Sequence, residues 1–509
     1  MAPHAEETRP LLSNGTNSGE ASTRRWRWKA NPYWLIPVAM GMNIARGMTM
    51  AMRVQVYTDI GCAASGLPRS QCDDAPSVSA RAARIQASIT TLMSILSAFA
   101  TGPWSRWGDV HGRNPLLMVT VFGALAMEIV FILVTRPHTV FSRHAEQFIM
   151  MGPVIDGLVG GLSAFNGVVH AYISDCTRHG SRARIFSTVQ GLVFIGLATG
   201  PWISGFILSF GNFSPYVLFY ASSLLLILLL AYIAFICPES LPREARLKTE
   251  DRSSQSGTIV DHFRNSISSL TAGLLSPISM FKPRHVALPT YTGKDWNVTL
   301  AGGALFLYTI STAVYNIKYI YGKRVYQWSP TELGFYMSIL WTTRAINLLV
   351  LLPIIIGYFK PKALPGQEPD IYAEMHFDQI LAGASLAIDG TADALIAIAS
   401  SSSQNLFVAL SCMSSFTSGG NPTLHSLAAV CLHAAGYSSE VGSLFGALAV
   451  AAAVAHVISP WLFALTYSST VATYPKAVFV LAAALLYTAV TLLATIRSKS
   501  RMSTGVHVS

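Results

Sequence analysis

Apolar residues along this chain fall in long unbroken runs, and they do not alternate with polar ones. Twelve runs can be marked. The first six cover 33–57, 85–103, 115–135, 148–173, 186–210 and 216–236; the second six cover 299–317, 333–356, 380–400, 406–432, 441–465 and 477–496. Each is near the ~20 residues that carry a helix across a hydrocarbon core of about 30 Å. A helix satisfies its own backbone, as lipid demands, and the period-two alternation of a membrane barrel is missing. The predicted fold class is an all-α polytopic membrane protein with twelve transmembrane helices in two six-helix bundles. Asn31-Pro32 and Ser214-Pro215 set a capping side chain before a first-turn proline. Ser329-Pro330-Thr331-Glu332 reads as a capping box ahead of the eighth run.

The polar stretches divide the chain. Residues 1–32 form a cytoplasmic N-terminal tail, 33–237 the first bundle, 238–298 a cytoplasmic linker, 299–496 the second bundle and 497–509 a cytoplasmic C-terminal tail. The linker carries Arg252-Ser253-Ser254-Gln255-Ser256-Gly257, a flexible composition. No apolar core precedes the basic cluster Arg24-Arg25-Trp26-Arg27-Trp28-Lys29, so the first apolar run is expected to serve as the targeting signal.

Composition narrows the class further. Of 509 residues, 51% are hydrophobic and 12% charged, about half the ~25% charge of soluble domains. That excludes a soluble enzyme, a DNA-binding protein, a coiled coil and a disordered scaffold. The net charge of +10 follows the membrane. With a cytoplasmic N-terminus, 23 of the 35 Lys+Arg fall on that side and 9 on the other, while Arg46, Arg53 and Arg344 lie within the runs. The bias puts both termini inside. The positive charge then faces anionic lipid headgroups, with no nucleic-acid partner implied. The six cysteines show no metal spacing. Cys62 and Cys72 share the first outer loop, where oxidation can pair them. No P-loop accompanies the runs, and no cofactor, metal or nucleophile–base constellation is indicated.

Several segments carry a family resemblance. Ser105-Arg106-Trp107-Gly108-Asp109-Val110-His111-Gly112-Arg113-Asn114-Pro115 resembles the cytoplasmic signature Gly-x-x-x-Asp-Arg-x-Gly-Arg-Arg of the major facilitator superfamily, matching at Asp109, Gly112 and Arg113 and departing at Ser105, Val110 and Asn114. The resemblance implies a conformational gate, with Arg113 pairing to charge on the neighbouring bundle and Gly112 making the tight turn. Gly196-Leu197-Ala198-Thr199-Gly200-Pro201-Trp202-Ile203-Ser204-Gly205 resembles the fifth-helix motif of drug/proton antiporters, with Ser204 replacing a glycine. Gly196, Gly200 and Gly205 allow close helix approach and Pro201 permits a bend, which suits a hinge or seal. Pro238-Glu239-Ser240 resembles the exit from the sixth helix of many members. The chain thus resembles the tetracycline/proton antiporters and the proton-coupled folate- and haem-carrier-like branch, fungal-type members included. This implies the major facilitator fold and a monomer that moves a small molecule together with protons.

Ionisable residues inside the runs are the site candidates. Each costs at least ~2.5–3.5 kcal/mol at a helix centre, so each needs a partner or a cavity. They are Arg46 and Arg53 in the first run, Glu128 in the third, Asp156 in the fourth, Arg344 in the eighth, Asp389 and Asp393 in the ninth and His425 in the tenth. A carboxylate facing a wet cavity can carry a proton. An arginine cannot release one, but it can hold an anion or compete with the proton. Asp389 and Asp393 sit one turn apart on one helical face. Gly419-Gly420-Asn421-Pro422 should interrupt the tenth helix and open backbone near His425. Structural pairing that pins helices is the competing explanation for every one of these residues.

The expected function is secondary active transport by alternating access, first as proton-coupled export of a drug-like molecule or secondary metabolite. The alternatives are proton-coupled uptake of an organic anion or nutrient, motivated by Arg46 and Arg344, and a non-transporting nutrient receptor. Glu7-Thr8-Arg9-Pro10-Leu11-Leu12 fits the acidic dileucine pattern that sorting adaptors read. The expected location is the plasma or vacuolar membrane.

Overall fold

The structure, a computed structural model, describes residues 30–176, 182–210, 214–241, 279–285, 294–361, 371–416, 420–437 and 441–496. Glu7, Leu11, Leu12, most of the linker and the C-terminal tail lie outside the described residues. Among the described residues ten helices are long and apolar enough to cross a membrane. Two further crossings complete the twelve. The helix Ile36–Ser65 carries Asn43, Arg46, Thr49, Arg53 and Gln55, which dilute its hydropathy. The tenth crossing comes as two shorter pieces, Gln404–Phe416 and Gly420–Ala434, with 417–419 outside the described residues. The other spans include Pro76–His111, Arg113–Thr135, Arg182–Phe210, Val217–Phe235, Ile371–Ile398, Val441–Thr470 and Ala477–Ala494. The described β-structure is one two-residue pairing, Arg284–His285 against Lys294–Asp295.

Helices outrun the apolar stretches that announce them. Pro76–His111 has 36 residues, about 54 Å at 1.5 Å per residue, so its polar ends project beyond the hydrocarbon. The capping box at Ser329 and Glu332 is formed in full, and Asn31 accepts from the Tyr33 N–H at 3.2 Å. Ser214 departs from its expected role: the helix starts at Val217 without a side-chain cap, and the Ser214 carbonyl makes the entry turn at 2.9 Å.

One correction matters for the site. The seventh span does not end near residue 317. Its first piece, Asn297–Ser311, breaks at Thr312–Ala313 and resumes as Val314–Val325. Lys318, counted above with an outer loop, is therefore inside the span and wholly buried.

Packing shows how the halves meet. Toward the chain ends each half keeps its own core: Leu35, Leu116, Tyr172 and Ile233 in the first, Leu305, Met375, Leu427 and Leu493 in the second. On the opposite face the cores merge, and Val54, Ala80, Ala83 and Ala87 pack with Ile317, Tyr336, Phe463 and Tyr467. Polar contacts follow the same seam. Lys323 Nζ lies 3.4 Å from Asp73, Gln327 donates to Asp74 at 2.9 Å, and Thr91 donates to the Val457 carbonyl at 3.3 Å. The face away from the chain ends is the sealed one. Long apolar side chains such as Phe206, Leu224, Leu228 and Phe235 remain exposed on the perimeter, where lipid is their solvent.

Candidate functional site

Arg46, Met50, Arg53 and Tyr57 recur at helical spacing along the first span, so one face of that helix presents both cations. They line a cavity of about 150 Å³ with Gln86 and Thr90 of the second span, Glu128 of the third, Asp156 of the fourth, and Asn316, Tyr319 and Met337 of the second half. Val54, Tyr319 and Met337 also belong to the merged core, which roofs the cavity on the sealed side. The space holds about five waters at ~30 Å³ each. Pockets that take drug-sized ligands measure about 300–1,000 Å³, larger than this cavity.

Four of the predicted charges meet here as two pairs. Arg53 Nη2 lies 2.6 Å from Glu128 Oε1, which also accepts from Thr49 Oγ1 at 3.0 Å. The Arg53 guanidinium sits 5.0 Å from the centre of the Phe131 ring. Arg46 Nη2 lies 3.5 Å from Asp156 Oδ2. Both carboxylates are about 1% exposed. Neither Asp156 oxygen accepts a hydrogen bond among the described residues, and Glu128 Oε2 accepts none. The charges balance, but the hydrogen bonding of the carboxylates is incomplete.

The fourth span is built around Asp156. The helix Met151–Leu158 stops two residues after it and restarts at Gly161. Gly160 (φ 90°) and Gly161 (φ 50°) make that break in a backbone region side chains avoid. The second span satisfies the freed carbonyls: Ser97 Oγ donates to Gly160 at 2.6 Å and Trp104 Nε1 to Leu158 at 2.8 Å. The adjacent glycines 160 and 161 were a legible signal that the sequence reading passed over.

The second half holds its charges differently. Lys318 Nζ lies 2.7 Å from Asp393 Oδ1, with both side chains at most 2% exposed. Asp389, one turn away, is buried, has no cation within 4 Å among the described residues, and leaves Oδ1 without a hydrogen bond. Arg344 is only partly buried. Its guanidinium carbon sits 3.9 Å from the Tyr315 ring centre and 5.2 Å from that of Trp341. The Tyr315 hydroxyl pairs with Ser414 Oγ at 3.0 Å. Each cation–π contact contributes about 0.5–2 kcal/mol, so the two together are of the same order as the ~2.5–3.5 kcal/mol that an arginine costs at membrane depth. Arg344, Asp389, Asp393 and His425 do not line the first-half cavity. His425 lies apart, stacked on Phe445 with Nδ1 2.9 Å from the Asn421 carbonyl.

Two motifs frame the site. Arg113 opens the third span directly after Gly112 (φ 114°). It pairs with Asp109 at 2.5 Å and Asp175 at 3.0 Å. All these partners lie in its own half, so among the described residues the Arg113 contacts do not bridge the two halves. Ser105 lies one turn before Asp109 on the same helix. Glu239 accepts the N–H groups of Arg113 and Asn114 at 2.8 and 3.0 Å, a carboxylate at a helix N-terminus where donors and dipole favour it. Ser240 donates to Asp175 at 3.1 Å. The fifth-helix motif lies between the halves. A side chain at Gly200 would sit 2.6 Å from the Ile44 carbonyl, and one at Gly196 2.9 Å from Met40, both in the first span. Gly205 faces the Phe335 ring of the eighth span, and the Pro201 carbonyl lies beside Gly334. Cys62 and Cys72 are joined as a disulfide with Cα atoms 5.5 Å apart, immediately before Asp73 and Asp74 of the outer seam.

Comparison with known proteins agrees with this architecture. The sequence pattern described as Major Facilitator Superfamily matches residues 35–365. An uncharacterized membrane protein of Schizosaccharomyces pombe is 24% identical over 53% of this chain and 42% of its own length. The MFS-type transporter avaJ of Aspergillus versicolor is 24% identical over 94% of this chain and 92% of its own. The class H tetracycline resistance protein of Pasteurella multocida is 26% identical over 46% of this chain and 56% of its own. Among solved structures, a D-xylose–proton symporter superposes with a TM-score of 0.61 at 14% identity, covering 92% of this chain and 98% of that one.

Proposed function

The chain belongs to the Major Facilitator Superfamily, and from that membership we propose that it exports a small drug-like molecule or secondary metabolite in exchange for protons. As a member it is a multi-pass integral membrane transporter. The observation that carries the proton-coupled reading is the pair of buried carboxylates, Glu128 and Asp156, each held by an arginine in one cavity between the halves. Protonating either carboxylate releases its arginine. A freed Arg46 or Arg53 is then available to a substrate dipole or anion, so proton and substrate compete for the same cations. Opening the cavity to one face at a time converts that competition into exchange. A proton moving down a 100 mV potential gains about 2.3 kcal/mol. Similarity to a tetracycline resistance protein and to a fungal MFS-type transporter supports export.

Uptake of an organic anion is the second reading, favoured by Arg344, which has no carboxylate within ion-pair distance among the described residues. Accumulation assays in cells, with and without an uncoupler, separate the two: deleting an exporter raises internal substrate and deleting an importer lowers it. The coupling itself is tested by a substrate screen in proteoliposomes with an imposed pH gradient. Gradient-dependent flux that disappears in E128Q or D156N supports the reading. Flux indifferent to the gradient refutes it. A monomer is the working unit in this scheme, in the plasma or vacuolar membrane, with the dileucine at Glu7, Leu11 and Leu12 as the signal a sorting adaptor would read.

A further inference from the structure

Within the spans, Arg46, Arg53 and Lys318 each have a carboxylate within 4 Å. Arg344 has none among the described residues, and its Nε makes no hydrogen bond. It lies over ring faces instead, 3.9 Å from the centre of Tyr315 and 5.2 Å from that of Trp341. It follows Met337 and Trp341 along one face of the eighth span, two turns from the cavity toward the chain ends, and the halves keep separate cores in that direction. Trp341 in turn stacks on Phe194 of the first half, with centroids 6.1 Å apart and planes 28° from parallel. Directly after Arg344 the helix widens into a π-turn over Asn347–Leu351, a local distortion that recurs at functional sites.

We propose that Arg344, with Tyr315, Trp341 and Phe194, is the seat of a planar aromatic carboxylate. The guanidinium is a rigid planar fork that matches a carboxylate with two parallel hydrogen bonds. Its charge is uncompensated within ion-pair distance, so an incoming carboxylate supplies the missing anion. Asp389 and Lys318 lie in the same half, but Lys318 is taken by Asp393, and Asp389 stays outside pairing distance of Arg344. The three rings are partly exposed, which leaves apolar ring edge for the rest of the ligand, and the Trp341–Phe194 stack spans the two halves. A ligand seated there touches both halves at once, as a transported substrate must. The inference names the substrate class and in that respect rests on the transport reading.

Binding separates the two claims. The full chain, purified in detergent, is titrated calorimetrically with 2-naphthoate, its neutral isostere 2-naphthamide, and the non-planar cyclohexanecarboxylate. The wild type is expected to bind 2-naphthoate at least about tenfold more tightly than the amide, as loss of a charged hydrogen-bonded contact implies, and more tightly than the cyclohexane acid. R344Q should lose about tenfold or more for 2-naphthoate while leaving the amide unchanged, and R344K, which keeps the charge without the fork, should fall between. Equal affinity for acid and amide in the wild type overturns the proposal without any mutant. So does unaltered naphthoate binding in folded R344Q, or no binding to the wild type at all. Arg344-dependent binding with no flux in vesicles keeps this inference and removes the transport reading. Gradient-driven flux of neutral solutes without naphthoate binding does the reverse.

Discussion

The two halves bury charge in opposite ways. In the first, Glu128 and Asp156 border a cavity, each beside an arginine that lines the same space. In the second, Lys318 and Asp393 close on each other away from that cavity. A carboxylate that meets water can exchange a proton, whereas a sealed ion pair pins its helices. On the proposed reading the same residue types serve coupling in one half and cohesion in the other, and position relative to the cavity decides which.

The sharpest break of that comparison is in flux. E128Q and D156N should each bring gradient-driven transport to the level of protein-free vesicles while the purified variants stay folded. D393N should do the opposite first. It leaves Lys318 charged and alone in the interior, at a cost of about 3–5 kcal/mol, read as a lower midpoint of unfolding in detergent. The apolar double substitution K318M/D393L should recover most of that loss, since replacing a buried pair by packed hydrophobic residues is often neutral or stabilising. A D393N protein of normal stability but without coupling would move this pair into the transport machinery.

Smaller effects test how the halves are joined. G200A places a methyl against the Ile44 carbonyl and should destabilise by about 1–3 kcal/mol through overpacking, with the first and fifth spans forced apart. D73A combined with D74A removes the carboxylates that meet Lys323 and Gln327 on the sealed face. Lys323 is buried but its partner Asp73 is open to solvent, and pairs screened by water contribute about 0–1 kcal/mol each, so the expected result is a modest rise in labelling of a cysteine introduced at Asn316, with little change in unfolding midpoint.

Much of the fold was legible in the sequence because hydrocarbon selects for length and apolarity together. The twelve crossings, their six-and-six grouping and the Ser329 capping box are all written in runs and caps. The boundaries were less legible. Lys318 falls after the apolar run stops at 317, yet helix propagation carries the span on to Val325, and hydropathy cannot see a lysine whose partner is 75 residues away. Arg46, Arg53, Glu128 and Asp156 were readable as candidates by their depth alone, but their pairing was not, because it depends on how three other helices rotate. His425 had the same sequence credentials and lies elsewhere, against Phe445. The role of Glu239 was hidden for a related reason: its partners are the amides of Arg113 and Asn114, more than a hundred positions earlier.

The central claim is that the Glu128 and Asp156 carboxylates exchange protons against solute. The direct measurement is proton movement driven by solute alone. Proteoliposomes start at equal pH inside and out, receive an inward gradient of a transported compound, and carry a lumenal pH dye. Wild-type vesicles should turn alkaline inside as protons leave against the entering solute, and E128Q/D156N vesicles should show no pH change while the purified variant still binds the compound. Solute entering the wild-type vesicles at constant internal pH, or an undiminished pH change in the double variant, would contradict the account.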